Sequence, residues 1–253
     1  YLSSAQLASL SGAAAGALGT STIAAMGSAD IRALTTAQVQ ALGTAQIKAL
    51  SSAQVQWLET GDIAVLSSAQ VQALDTADIA ALSTSQIVAL GTDQTKALTT
   101  AQIQALSSRS LQALESRDFA ALTSAQLTAL SAAQGAGLTT AQLATLDSAE
   151  IGKLSTGFVQ NLSTAAIAAL GTEQIAGLST AQLAAWTSSA QIRALETRDL
   201  AQLNTTQIKA FSSTQIEYLS SAQLASLSGA AAGALGTSTI AAMGSADIRA
   251  LTT

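Results

Sequence analysis

Residues 98–105 read LTTAQIQA, and this eight-residue unit decides the fold because near-copies of it fill the chain. A leucine recurs every eight residues from Leu34 to Leu178. With that leucine at position a, the consensus over positions a to h is Leu-(Ser/Thr/Gly)-(Ser/Thr)-Ala-Gln-(Ile/Val/Leu)-x-Ala. The register slips once, because nine residues separate Trp186 from Leu195. A fixed short period of this kind indicates a repeat architecture.

A second, longer period lies on top of the octads. Residues 1–36 are identical to residues 218–253, and the offset from residue 1 to residue 218 is 217 residues. Chance does not produce an identity of this length, which indicates either a recent duplication or a stretch of an array of near-identical modules. We interpret residues 1–253 as a single continuous octapeptide-repeat solenoid, and the identical segments 1–36 and 218–253 as the sign of a higher-order module of 217 residues.

Each octad carries the signals of one very short helix. The apolar positions a and f are spaced five and three apart, a mean of four, which lies outside the range that a continuous helical supercoil accommodates. Position b holds residues typical of a helix N-cap, and the residue at e follows three positions later, as in a capping box. The pairs that match this motif include Ser3 with Gln6, Thr99 with Gln102, and Ser179 with Gln182. Such helices are too short to be stable alone, so they require packing against neighbouring octads.

The expected fold class is therefore all-α, a solenoid of very short helices with one helix per octad. We expect the Leu and Ile columns inside, the Ser, Thr and Gln columns outside, and two octads per turn. The alternative is a β-solenoid, which the abundant alanine, the poor period-two alternation and the lack of a fixed turn glycine disfavour. Octads 10–17, 227–234 and 130–137 carry Ala or Gly at f, which predicts either close-packed or bent positions or neutral drift.

Composition excludes several functional classes. Charged residues make up 10% of the chain, against about 25% in an ordinary globular protein, and the net charge is −5. The ten basic residues are scattered and cannot neutralise a run of phosphates, so we expect no nucleic-acid binding. Cysteine and histidine are absent, no apolar run has the length of a membrane span, and the first residues lack the layout of a signal peptide. We expect no enzyme, no catalytic residues and no cofactor.

Paired carboxylates stand out from this background. In five octads in which b is acidic, e is acidic too, and two of these pairs are Glu59 with Asp62 and Asp75 with Asp78. The structural interpretation is that both carboxylates face the positive end of a short helix. The functional alternative is a Ca²⁺ site formed by these four residues, because two octads per turn would stack them and Ca²⁺ binds several carboxylate oxygens. We expect no other metal site.

The runs ALTTAQIQALSS (97–108), LSTAQLAAW (178–186) and ALGTAQIKALSS (41–52) resemble octapeptide segments of very long repetitive bacterial surface proteins, including adhesin-like type I secretion substrates. The resemblance implies an extracellular, cell-surface or biofilm-matrix location. The acidic Gly-Asp-rich calcium repeats that often accompany that group are absent here, which leaves the secretion route open.

The function that we expect from the repeats is structural. We expect the protein to form an extracellular filament, or a rigid rod or spacer, without catalysis or membrane insertion. Its partners are further copies of itself or a continuation of the same array. The alternative is a repeat binding module or adhesin that presents a solenoid face to a receptor, a glycan or ice.

Overall fold

The computed structural model describes residues 3–251, which form 31 α-helices of four to six residues and no β-strand. Each helix occupies one octad, beginning at position c. The all-α prediction is confirmed, and the β-solenoid alternative is wrong. The chain divides into two compact units, Tyr1–Ala129 and Leu130–Thr253.

The first unit contains α1 (Ser4–Ala8), α2 (Gly12–Gly16), α3 (Thr20–Ala24), α4 (Ser28–Ala33), α5 (Thr36–Ala41), α6 (Thr44–Lys48), α7 (Ser52–Trp57), α8 (Thr60–Ala64), α9 (Ser68–Ala73), α10 (Thr76–Ala81), α11 (Thr84–Val88), α12 (Thr92–Ala97), α13 (Thr100–Ala105), α14 (Ser108–Ala113), α15 (Ser116–Phe119) and α16 (Ser124–Ala129).

The second unit contains α17 (Ala132–Gly135), α18 (Thr140–Leu143), α19 (Ser148–Ile151), α20 (Thr156–Gln160), α21 (Thr164–Ala168), α22 (Thr172–Gly177), α23 (Thr180–Ala184), α24 (Ser189–Arg193), α25 (Thr197–Leu200), α26 (Thr205–Ile208), α27 (Ser213–Tyr218), α28 (Ser221–Ala225), α29 (Gly229–Gly233), α30 (Thr237–Ala242) and α31 (Ser245–Ala250).

Capping explains why a helix begins in every octad. In α13 the N-cap Thr99 is extended, with φ −71° and ψ 159°. Its hydroxyl accepts a hydrogen bond from the Gln102 backbone N–H at 3.2 Å, and the Gln102 Oε1 accepts one from the Thr99 N–H at 2.8 Å. The same reciprocal box is present at Ser3 with Gln6 and at Ser179 with Gln182. The predicted capping boxes are confirmed, and they satisfy two of the amide donors that a helix start leaves unpaired.

The link between successive helices needs no unusual backbone. At the end of α13 the next leucine of position a, Leu106, is extended at φ −62° and ψ 130°. The following Ser107 is again an extended N-cap, at φ −67° and ψ 161°. No residue between 3 and 251 has a positive φ. The extended pair at a and b therefore redirects the chain, which is why glycine is optional at every turn.

Three octads, rather than the expected two, make one turn of each unit. In the first unit each helix packs on the third one after it, as α1 does on α4 and α7 on α10. In the second unit α17 packs on α20 and α28 on α31 in the same way. The expectation of two octads per turn was wrong because local signals fix where each helix begins but not the angle between successive helices.

The apolar columns at a and f form the core of each unit, as predicted. Within one octad step, Ile103 at f is 0% exposed and Leu106 at a is 3% exposed. Burying a Leu or Ile side chain contributes about 1.5–3 kcal/mol. This burial recurs in nearly every octad and stabilises helices that are too short to persist alone.

Two of the three octads with Ala or Gly at f, octads 10–17 and 130–137, are close-packed, whereas in octad 227–234 a Cβ atom on Gly229 or Gly233 would meet nothing within 4 Å. A Cβ atom on Gly135 would lie 2.2 Å from the Phe158 carbonyl oxygen, because α17 and α20 approach backbone to backbone. In octad 10–17, Ala15 at f is fully buried, and a Cβ atom on the neighbouring Gly16 would lie 2.6 Å from the Ala41 carbonyl oxygen. Small residues are therefore required where these helices touch.

Candidate functional site

The glutamines at position e form the main polar feature of both units, and they lie inside. Gln102 is 2% exposed, contrary to the expected outside position of the Gln column. Its Oε1 caps its own helix, while its Nε2 donates to the carbonyl oxygens of Val71 and Leu74 in the preceding turn, both at 2.8 Å. One side chain thus satisfies the first amide of one helix and the last carbonyls of another.

The same bonds recur along both units, always to carbonyls at positions f and a of the preceding turn. We call this array the glutamine ladder. It is formed by Gln38, Gln46, Gln54, Gln70, Gln86, Gln94, Gln102, Gln126, Gln174, Gln182, Gln207, Gln215 and Gln223.

One signal in the sequence points to the ladder. Gly43, Gly91 and Gly171 stand at position b and have no side chain with which to complete a capping box, yet e is still glutamine in those octads. The structure shows why. Gln46 and Gln94 each donate to two carbonyls of the preceding turn, a role that does not depend on the residue at b.

The nine-residue unit is accommodated by an exchange of donors. Gln191, the e residue of this unit, is shifted and donates to the carbonyls of Gln160 and Leu162. Trp186, at position a, is fully buried, and its Nε1 donates to the Val159 carbonyl at 2.9 Å. The indole therefore supplies the donor for the f carbonyl that the shifted glutamine leaves.

Four aspartates take the place of glutamine at e and are buried among the same groups: Asp62, Asp78, Asp118 and Asp199. The Oδ2 atoms of Asp62 and Asp78 accept hydrogen bonds from the N-cap N–H groups of Glu59 and Asp75, both at 3.0 Å. This is the helix-start role that the sequence predicted for the acidic pairs. A carboxylate cannot donate as the amide does, so these octads lack the ladder bond.

The remaining oxygens of the buried aspartates have mixed partners. The Asp78 Oδ1 accepts from the Ser52 hydroxyl at 3.0 Å, and the Asp118 Oδ1 accepts from the Thr92 hydroxyl. The Asp118 Oδ2 and both carboxylate oxygens of Asp199 are buried without a hydrogen-bond partner. A buried carboxylate oxygen without a hydrogen bond is costly, because it has lost its hydration. Arg117 and Arg198 partly compensate this cost, since each lies 3.5 Å from the Oδ1 atom of one of these aspartates.

Burial raises the pKa of three of these carboxyl groups above the usual aspartate value. For Asp62 and Asp78 desolvation is the largest cause, hydrogen bonds from the N-cap backbone oppose it, and the neighbouring carboxylates of Glu59 and Asp75 add to it. For Asp199 desolvation again dominates, opposed chiefly by the charge of Arg198. The protonated form is therefore favoured by folding at these positions.

Two arginines flank acidic pairs at the surface. Arg117 lies 3.0 Å from Glu115 and 3.5 Å from Asp118, and its side chain is 70% exposed. Arg198 bridges Glu196 and Asp199 in the same way, at 2.9 and 3.5 Å. The ion pairs of these arginines with the exposed Glu115 and Glu196 contribute little to stability, because solvent screens them.

The structure does not bring together the four residues of the calcium alternative. Glu59 and Asp62 belong to the octad of α8, and Asp75 and Asp78 to that of α10, whereas packing joins octads three apart. Asp78 instead meets Ser52 at the start of α7. Within residues 3–251 no group of three or more His, Cys, Asp or Glu side chains is placed to hold a metal ion. The stacking on which this alternative depended is wrong.

Each unit consists of very short capped helices, three to a turn, and the buried glutamine ladder links one turn to the next. This architecture defines an all-α solenoid repeat protein. The comparison of the sequence with known families agrees. The ALTTAQ repeat profile matches residues 23–60, 57–91, 71–108, 111–148, 151–188 and 192–229, which together make up more than half of the chain. The chain belongs to the ALTTAQ repeat family.

A search of curated proteins gave no match to this sequence. In the part of the chain that the structure describes, no helix has the length and apolar character that crossing a membrane requires.

Proposed function

We propose that this protein is a structural protein, an extracellular filament or a rigid rod or spacer built from tandem octapeptide repeats, and that it has no catalytic role. The observation that carries the proposal is that each octad supplies residues that pack against, or bond to, neighbouring octads. Positions a and f fill the core, b caps the helix, and e bonds to the preceding turn. A sequence that repeats one packing unit gives a length set by the number of repeats, which is what a rod or filament requires.

The extracellular or cell-surface location follows, as a proposal, from the resemblance to repetitive bacterial surface proteins. The partners proposed on the same basis are further copies of this chain or a continuation of the same repeats. No nucleic acid is proposed as a partner, because the ten basic residues are dispersed over a chain of net charge −5.

The experiment that tests this function is cryo-electron microscopy of the material as isolated from its source. We expect long, uniform filaments or rods whose axial repeat matches the 217-residue module. Discrete globular particles would reject the structural function. Short rods decorated by a receptor or glycan, or bound to ice crystals, would instead support the binding-module alternative.

A further inference from the structure

Two octads share the sequence Leu-Glu-(Ser/Thr)-Arg-Asp, and each unit contains one of them. The octad of the first unit begins at residue 114 and forms α15, and that of the second begins at residue 195 and forms α25. The side chain of neither N-cap, Glu115 or Glu196, accepts a hydrogen bond from its helix, and neither helix has a capping box. Both helices have only four residues. They therefore begin without the capping bonds that most other octads make.

The arginine at position d separates α15 from the other acidic octads of the first unit. The octad of α8 has the same acidic residues at b and e but Gly61 at d, and there the Asp62 Oδ2 accepts a hydrogen bond from the Glu59 N–H at 3.0 Å. In α15 the Asp118 Oδ1 lies 3.5 Å from the Arg117 Nε, and the carboxylate makes no bond to the N-cap N–H. The aspartate and arginine of α25 have the same arrangement. The arginine and the N-cap amide thus compete for one carboxylate, and the arginine holds it.

Helix α25 also lacks ladder bonds on both sides. A glutamine at position 199 would reach the Leu170 carbonyl, as Gln207 in the next octad reaches that of Leu178 at 3.0 Å. Asp199 has no amide to donate, and both of its carboxylate oxygens are buried without a hydrogen-bond partner. At the end of α25, the e residue of the following turn is Ala231, which cannot donate to the carbonyls there. Two sets of bonds between turns are therefore missing at this one helix.

The next helix, α26, makes every bond that α25 lacks. The Asn204 Oδ1 accepts from the backbone N–H groups of Thr206 and Gln207, both at 2.9 Å, and the Gln207 Oε1 accepts from the Asn204 N–H at 3.1 Å. The Gln207 Nε2 donates to the carbonyls of Ile175 and Leu178 at 3.2 and 3.0 Å. The apolar side chain at f is buried in both helices. Two adjacent octads thus have similar apolar burial but differ in their polar bonds.

The first unit provides a second comparison, between α15 and the preceding α14. Helix α14 also has an arginine at d, Arg109, but serine at e. Its N-cap is intact, because the Ser107 hydroxyl accepts a hydrogen bond from the Ser110 N–H at 3.0 Å. In α15 the Asp118 Oδ2 is buried without a hydrogen-bond partner. An arginine at d alone therefore leaves the cap in place, and it is the combination of arginine at d with aspartate at e that removes it.

We propose that the octads of α15 and α25 open locally more readily than the octads beside them, and that an endoprotease cuts the folded chain at these two places. A missing cap and a buried carboxylate without a hydrogen bond both destabilise the closed form of a helix that is too short to persist alone. Proteins open locally where stabilising contacts are fewest, and proteolysis follows the population of the open form.

The cut is a hydrolysis, in which water adds across one peptide bond and leaves a carboxylate on one fragment and an amine on the other. No reactant besides water and the protease is required. The proposal goes beyond the structural function above and does not depend on it, because local opening is a property of the fold alone.

Hydrogen exchange of the purified chain at pH 7, measured by mass spectrometry, tests the local opening. The amides at positions f and g of α25 and α26 are matched, because each donates to the carbonyl at b or c of its own octad. They belong to Leu200, Ala201, Ile208 and Lys209. We expect the two α25 amides to be protected at least about tenfold less than the two of α26.

Two variants separate the missing bonds from other effects. Asp199→Gln supplies both an acceptor for the N-cap amide and a donor for the preceding turn. It should raise the protection of the α25 amides at least about tenfold and leave that of the α26 amides unchanged. Glu217→Gln in α27 removes an exposed carboxylate and is the matched control, which should change neither.

Limited digestion with subtilisin, an endoprotease of broad specificity, tests the cleavage. Within residues 98–219 we expect the first cuts in octads 114–121 and 195–202. Asp199→Gln should slow the cut in octad 195–202 at least about tenfold. The cut in octad 114–121, which keeps Asp118, is then the internal control and should proceed at the same rate.

Equal protection in α25 and α26 would overturn the proposal. A rise in protection that Asp199→Gln causes equally in both helices would do the same, since it would show that they open only together. Cuts that fall as often in α14 and α26 as in α15 and α25, or no cut within residues 98–219, would reject these octads as protease sites.

Discussion

The glutamine ladder predicts that one buried amide holds neighbouring turns together. Replacing Gln102 with methionine keeps the length of the side chain but removes both its acceptor and its donor. The Thr99 N–H and the carbonyls of Val71 and Leu74, all bonded at 2.8 Å, lose this partner. Leaving buried backbone groups unpaired costs about 1–3 kcal/mol each. The Val71 carbonyl keeps its backbone bond from the Leu74 N–H, so we expect a net loss of about 2–4 kcal/mol.

The matched control lies in the same helix. Gln104 at position g is exposed, so Gln104→Met changes the same atoms without breaking a buried bond, and we expect a change within about 0.5 kcal/mol. Urea unfolding followed by circular dichroism measures the free energy, and hydrogen exchange at the Thr99 amide reports local opening. Equal stabilities for the two variants, with no faster exchange at Thr99, would refute a stabilising role for the ladder.

Three further substitutions test other parts of the structure. Asp199→Gln supplies an amide donor at position e. Because burial raises the pKa of Asp199, the free energy of unfolding of the parent chain falls as the pH rises from below the ordinary aspartate value of 3.8 through the folded pKa. The variant should therefore be more stable than the parent at pH 7, and should lose less stability with rising pH in a series of urea titrations. Trp186→Phe removes the indole donor to the Val159 carbonyl, which keeps its backbone bond from the Leu162 N–H. We therefore expect a loss of about 0.5–1.5 kcal/mol by urea unfolding, and no loss would contradict the donor role. Thr95→Val removes a buried hydroxyl that has no partner and should raise stability by about 1 kcal/mol in the same assay, whereas a decrease would show that the hydroxyl is paired.

The helices could be predicted because their determinants are local. The hydroxyl at b and the glutamine at e lie three residues apart, and the bonds between Thr99 and Gln102 close within one helical turn. The same holds for the apolar columns, since period alone separates a and f from the exposed positions. Close packing at Gly135 was one of two open interpretations, and the structure decided it, because a Cβ atom at this position would lie only 2.2 Å from the Phe158 carbonyl oxygen.

The number of octads per turn could not be predicted, and neither could the residues that the acidic pairs contact, because these depend on that number. Two octads per turn would have stacked Asp62 and Asp78, whereas three place Asp78 against Ser52. The difference depends on how far the extended pair at a and b rotates the next helix. A change in the backbone dihedral angles of these two residues leaves the capping pattern unchanged but alters which octads meet.

The sequence by itself determined that this chain forms capped helices of four to six residues with Leu and Ile columns inside. The tertiary structure alone decided that the glutamine at e is buried and bonds to the preceding turn. The physical reason is the range of the interactions. A capping bond spans three residues, whereas the ladder bonds of Gln102 span 31 and 28 residues. Such bonds exist only after the turns have stacked.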